Sequence, residues 1–184
     1  MTISIWGDWI NLDIPYKTPH GRGYRCRRLP IIMSHLDCNH YGAVRMLLEK
    51  GANVNVKIDD NEELAGQTAL MLTFQDNYFY NWNVNFTRIF IEQPKIDANI
   101  QDAQGKTALH HFILKYGRLE PKVDKEKESN LSKTIDLLLK HKKAGKLNCS
   151  IQDHSGLTAL NYLDNQSPMT EFKEFHNKLR TLLT

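Results

Sequence analysis

The chain is poor in cysteine. Its 184 residues hold three, Cys26, Cys38 and Cys149, and an odd number at these spacings fits neither a disulfide framework nor a zinc motif. A reducing compartment suits such a chain, so the cytoplasm is the expected location. Long apolar runs are missing: none approaches the about 18 to 20 residues that cross a bilayer, and no membrane partner is expected. No basic start leads into an apolar stretch, and Asp8 and Asp13 interrupt what apolar character lies there, so no secretory signal is read. Neither sign of charge dominates, since 24 Lys and Arg against 21 Asp and Glu leave a net charge of +3. That is too little to imply a nucleic-acid partner. Catalytic signatures are also absent: the chain has no G-x-S-x-G, no H-E-x-x-H, no P-loop and no dinucleotide fingerprint. His35, Cys38 and His40 cluster downstream of Cys26, but their spacing matches no zinc pattern. No metal, cofactor or catalysis is expected.

What the chain does have is repetition. Gly66-Gln67-Thr68-Ala69-Leu70, Gly105-Lys106-Thr107-Ala108-Leu109 and Gly156-Leu157-Thr158-Ala159-Leu160 all read G-x-T-A-L, each followed by an apolar segment. A second phrase precedes them: Leu47 to Asn55 (LLEKGANVN), then Ile96 to Asp102 (IDANIQD), then Leu147 to Asp153 (LNCSIQD). A period in the tens of residues means stacked supersecondary units. Glycine suits a chain reversal that needs positive φ. Thr68, Thr107 and Thr158 stand where an N-cap hydroxyl would take the orphan amides of a first helical turn. Leu70, Leu109 and Leu160 then open the apolar stripe. His110 follows Thr107 by three residues, within reach of that cap. Asn55, Asn99 and Asn148 read as turn residues that bond backbone amides.

These phrases resemble the ankyrin repeat family. The pattern D-x-x-G-x-T-A-L-H stands at Asp102, Gly105, Thr107, Ala108, Leu109 and His110, and LLEKGANVN matches the end-of-repeat phrase. The resemblance covers roughly residues 29–184. It implies an all-α solenoid of about four helix-turn-helix repeats with capping helices, a projecting hairpin in each repeat, and binding on the concave side without catalysis. Cys149 then falls at a variable hairpin position, so a Cys/His pair with His141 or His154 reads as accidental. The repeats fall at about 29–58, 59–100, 101–150 and 151–184, with residues 1–28 as an N-terminal extension.

The spacing departs from the family. Gly66 to Gly105 and Gly105 to Gly156 both exceed the usual ankyrin period of about 33, so insertions must loop out. One is expected within Asp76 to Asn85, an aromatic stretch with Tyr78, Phe79, Tyr80 and Trp82. A second, almost wholly polar, is expected as a loop over Arg118 to Lys133. The hairpin Val56 to Ala65 is long and acidic. At the N-terminus, Ile3, Trp6 and Ile10 are spaced for one helical face, which suits a cap over the open end of the stack. His20 to Arg28, with four arginines, reads as the first hairpin.

Inner helices are expected at Leu29 to Ser34, Thr68 to about Gln75, Thr107 to Tyr116 and Thr158 to Leu163. Outer helices are expected at Ala43 to Lys50, Phe86 to Gln93, Thr134 to Lys142 and Thr170 to Leu183. The last is amphipathic and reads as the C-terminal cap.

Partner binding is assigned to hairpin tips and inner helices: Ile100, Gln101, Ala103, Gln104 and Lys106, then Gln152, His154, Ser155 and Leu157, with His111 and Tyr162 facing the groove. Tyr78, Tyr80 and Trp82 form the other candidate surface, because exposed aromatics invite cover. The partner is another protein, bound by a monomer. The Lys-, Asn- and Ile-rich composition and irregular repeats resemble ankyrin effectors of intracellular bacteria or large viruses that bind a host protein. Glu171 and Glu174 before Leu182 and Leu183 resemble the acidic-plus-hydrophobic tails of type IV secretion substrates, which implies delivery into a host cytoplasm. A capping helix gives the same pattern. The alternative reading is an endogenous scaffold or inhibitor, with an enzyme last.

Overall fold

The computed structural model describes residues 15–17, 28–37, 39–59, 64–74, 84–116, 125–165 and 173–184. Two short strands open it, β1 (Pro15–Lys17) and β2 (Arg28–Pro30), paired antiparallel with Pro15 opposite Pro30. Eight helices follow among the described residues: α1 (Ile31–Asp37), α2 (Tyr41–Glu49), α3 (Ala69–Leu72), α4 (Val84–Ile91), α5 (Ala108–Tyr116), α6 (Lys125–Lys143), α7 (Ala159–Asp164) and α8 (Lys173–Leu183). The odd-numbered helices form an inner row, α1 on α3 on α5 on α7, and the even-numbered ones an outer row, α2 on α4 on α6 on α8. Turns project between each outer helix and the next inner one. Apart from the β1–β2 pair, which the sequence did not announce, this is the helical, ankyrin-type solenoid that the repeated phrases imply.

The core lies between the rows. Phe74, Phe90, Phe112, Ile32, Met33, Leu70, Ile91 and Leu109 are fully buried. Phe74 meets Phe112 edge-on at 5.1 Å between ring centroids, and Phe112 meets Tyr116 at 5.1 Å. The first pair ties the second repeat to α5, and the second lies within α5. Edge-on aromatic pairs of this kind add to plain area burial.

Several boundaries differ from expectation for local reasons. The first inner helix begins at Ile31 rather than Leu29. Pro30 pushes the residue before it out of the helical region, so Leu29 stays extended in β2. The second inner helix is only four residues long, and Thr73 closes it by donating its hydroxyl proton to the Leu70 carbonyl at 2.7 Å. The largest correction concerns the polar stretch Arg118 to Lys133, expected as a loop. Helix α6 already begins at Lys125. Lys and Glu lose little rotamer freedom in a helix. Leu131 also sits one turn ahead of Ile135 and Leu138, and all three are buried, so the apolar line extends into the polar stretch. Of the N-terminal extension 1–28, residues 1–14 and 18–27 lie outside the described residues, as do residues 75–83, which hold most of the aromatic stretch Asp76 to Asn85.

Candidate functional site

The third and fourth hairpins are built alike, around an aspartate. The Asp102 Oδ1 accepts the amides of Gln104 (2.8 Å) and Lys106 (2.9 Å). The Asp153 Oδ1 accepts those of Ser155 (2.8 Å) and Leu157 (3.1 Å). Main-chain bonds Asp102 N–H to Lys106 O and Asp153 N–H to Leu157 O, both 2.9 Å, close the two turns. The second carboxylate oxygen reaches the inner helix: Asp102 Oδ2 lies 2.8 Å from His111 Nε2, and Asp153 Oδ2 accepts from the Tyr162 hydroxyl at 2.5 Å. Burial alone would raise the Asp102 carboxyl, but the bonds from His111, Lys106 and Gln104 outweigh it and hold it below the usual carboxylate range. Asp153 is lowered likewise, against burial, by Tyr162 and the Leu157 and Ser155 amides. The Tyr162 phenol is pushed up to about 12, first by its bond to Asp153 and then by burial. In the second hairpin Ile58 takes the aspartate's place, with Ile58 N–H bonded to Gln67 O at 3.0 Å.

Consecutive hairpins are bonded to one another in register. Ala103 N–H donates to Ala65 O and His154 N–H to Gln104 O, each at 3.0 Å. Beside this runs a side-chain ladder: Lys57 Nζ donates to Gln101 O at 3.0 Å, and Gln101 Nε2 to Gln152 O at 2.9 Å. A second ladder joins the turns at the outer-helix ends. Asn55 donates to Lys95 O (2.8 Å) and accepts from Asp97 N–H (2.9 Å). Asn99 donates to Lys146 O (3.1 Å) and accepts from Asn148 N–H (2.7 Å). Asn148 itself corresponds to Asn53 and Asp97, closing a local turn by accepting from Ser150 N–H at 2.9 Å. Asn148 therefore holds a different station from Asn55 and Asn99.

His110 ties two repeats. Its Nδ1 accepts from Thr107 N–H at 3.1 Å and lies 2.9 Å from the Thr107 hydroxyl, while Nε2 lies 3.1 Å from Leu157 O. These partners require the neutral tautomer with the proton on Nε2. Burial lowers the pKa of His110 and favours that form. The Thr107 hydroxyl is thus turned to His110. At Thr158 the hydroxyl does accept a helix amide, that of Asn161 at 3.3 Å, as the sequence suggests.

The binding residues named from sequence sort into two kinds. Gln101, Ala103, Gln104, Gln152, His154 and Ser155 are exposed along the tips, and Ile100, Lys106 and Leu157 are half-buried beside them. Lys106 donates to Gln104 Oε1 at 2.7 Å and lies 6.0 Å from the Tyr162 ring centroid. His111 and Tyr162 are half-buried on α5 and α7, so the structure brings tips and inner helices into one strip. Tyr78, Tyr80 and Trp82 lie outside the described residues. The His35 and His40 Nδ1 atoms come within 3.4 Å. Among the described residues no group of three or more His, Cys, Asp or Glu side chains could hold a metal. Sequence reasoning did not single out Lys57, whose position in the ladder only the aligned hairpins reveal.

No family model and no curated protein matches the sequence. Among solved structures the chain is similar to the crystal structure of an ankyrin repeat protein, at 14% identity over 88% of this chain and 85% of that one, with a TM-score of 0.44. The superposition is loose, and the architecture stands on the hairpin and helix geometry above. No described helix is long and apolar enough to cross a membrane.

Proposed function

We propose that this chain is a protein-binding module whose interface is the strip of third and fourth hairpin tips with the adjacent faces of α5 and α7. The observation that carries this reading is the locking of those tips. Asp102 and Asp153 fix each turn, and the inter-hairpin bonds fix their register. Gln104, Lys106, His154 and Ser155 are therefore held in place before any partner arrives, which lowers the ordering cost of association. No reaction is assigned to the chain.

The setting we favour is an effector acting on a host protein, on the grounds of composition and repeat irregularity. Leu182 and Leu183 are 0% and 5% exposed. Their burial fits a capping helix and favours, as a second reading, a scaffold or inhibitor in the chain's own cell.

The test is a quantitative pull-down comparing the native chain with a Gln104→Ala, Lys106→Ala, His154→Ala variant. Gln101 stays native because its amide staples two hairpins. The triple variant is expected to fold and to lose its partner. Retained binding, together with loss on trimming residues 78–82, would move the interface to the aromatic stretch.

A further inference from the structure

The C-terminal ends of the outer helices carry a row of lysines that the hairpin strip does not use. Lys50 follows α2, Lys95 follows α4, and Lys140, Lys142 and Lys143 end α6, with Lys146 just beyond. The asparagine ladder shows that these ends lie on one edge. Asn55 reaches Lys95 O and Asn99 reaches Lys146 O, so Lys95 and Lys146 occupy the same station one repeat apart. Helices packed side by side stand about 8–10 Å apart, so the row continues across all three.

Among the described residues none of these six lysines forms an ion pair. The nearby arginines differ: Arg45 pairs with Glu49 at 2.8 Å and Arg88 with Glu92 at 3.0 Å. Exposed acids also stand at this edge: Glu49 and Glu92 are held by Arg45 and Arg88, the Asp97 Oδ1 accepts from Asn99 N–H at 2.9 Å, and Asp136 lies one turn before Lys140 on α6. Lys50, Lys95, Lys140, Lys143 and Lys146 are exposed. His141, half-buried within the cluster, has its pKa lowered first by burial and then by Lys146 and Lys140.

The form of the row selects a ligand. Lysine is a compact point charge without the bidentate fork used on individual phosphates or bases. Among the described residues no Phe, Tyr or Trp lies in the segments that carry the six lysines. One apolar side chain does stand with them: Met46, 55% exposed, one helical turn before Lys50 on α2. Four to eight clustered lysines at the end of an amphipathic helix match an anionic bilayer surface, each contributing modestly and additively. We propose that this edge docks the protein on a membrane surface rich in anionic lipid, lying on it without entering it.

The test is co-sedimentation of the whole chain with vesicles, either phosphatidylcholine alone or with about 30% phosphatidylserine. Binding is expected only with the anionic lipid, and it should fall as salt rises. A Lys140→Glu, Lys143→Glu, Lys146→Glu variant is expected to lose at least about tenfold in binding. The corresponding glutamine variant gives the same reading should the glutamates impair folding. The Gln104, Lys106, His154 alanine variant should still bind vesicles, so the failure of one interface leaves the other standing. Equal binding to both vesicles, no binding at low salt, or an undiminished glutamate variant overturns the proposal. So does tighter capture of single-stranded RNA than of anionic vesicles at the same ionic strength, which would assign the edge to nucleic acid.

Discussion

Tyr162 stands in the fourth repeat where His111 stands in the third. Each lies nine residues beyond the aspartate that closes its own hairpin, and each reaches that aspartate's Oδ2, at 2.5 and 2.8 Å. A phenol and an imidazole share one structural task, tying a projecting turn to its inner helix. Losing a hydrogen bond to a charged group costs about 1.5–3 kcal/mol. Tyr162→Phe should therefore destabilise by that order in urea unfolding, and Tyr162→His should recover more than half of the loss. If the histidine variant is no better than phenylalanine, the two positions are not interchangeable.

Gly105 and Gly156 share nearly the same backbone, φ +78° and +75°, yet differ in what surrounds them. A Cβ on Gly105 would meet His154 N and Cδ2 at 2.7 Å, while one on Gly156 meets nothing within 4 Å. Gly156→Ala should cost only the left-handed backbone penalty, about 1–2 kcal/mol. Gly105→Ala should cost clearly more, because the fourth hairpin must move. Thermal unfolding of the two variants side by side measures the difference, and equal losses would show that the hairpins are not tightly stacked.

Asn99 bonds both Lys146 O and Asn148 N–H, whereas among the described residues the Asn148 side chain bonds Ser150 N–H alone. At about 0.5–1.5 kcal/mol per bond, Asn99→Ala should destabilise roughly twice as much as Asn148→Ala. Hydrogen exchange should also show the Asn148 amide losing protection in Asn99→Ala. Unchanged protection there would argue against the ladder.

Acid should weaken the fold, and the sign follows from His110. Burial lowers its folded pKa below 6.5, so the folded protein refuses a proton that the unfolded chain takes up. Its contribution is complete above pH 6.5 and is lost as pH falls toward the folded value. His35 acts in the same sense through burial and His40, and His141 through burial and its lysine neighbours. Asp102 and Asp153, both lowered, add a further loss once pH drops below the ordinary 3.8. The Thr158 amide already bonds an asparagine, Asn161 Oδ1 at 2.9 Å. His110→Asn should therefore keep its local cap, lose the Leu157 bond at a cost of about 1 kcal/mol, and flatten the stability profile as pH falls below 6.5. An unchanged slope would place the titration elsewhere.

The inner-helix starts at the Ala of each G-x-T-A-L and the stripe begun by Leu70, Leu109 and Leu160 were legible in the sequence. They depend on bonds and packing within one repeat, and local spacing records these. The early start of α6 was not legible, because Lys-Glu-Lys-Glu-Ser reads as polar loop until Leu131 is seen joining the buried line of Ile135 and Leu138. The unlike stations of Asn99 and Asn148, the Lys57–Gln101–Gln152 ladder, and the bond from His110 to Leu157 were decided only by tertiary structure. Each joins residues in neighbouring repeats, 44, 51 or 47 positions apart in the two ladder steps and the histidine bond. The unequal insertions between G-x-T-A-L phrases hide that register from the sequence, and the stacking of hairpins restores it.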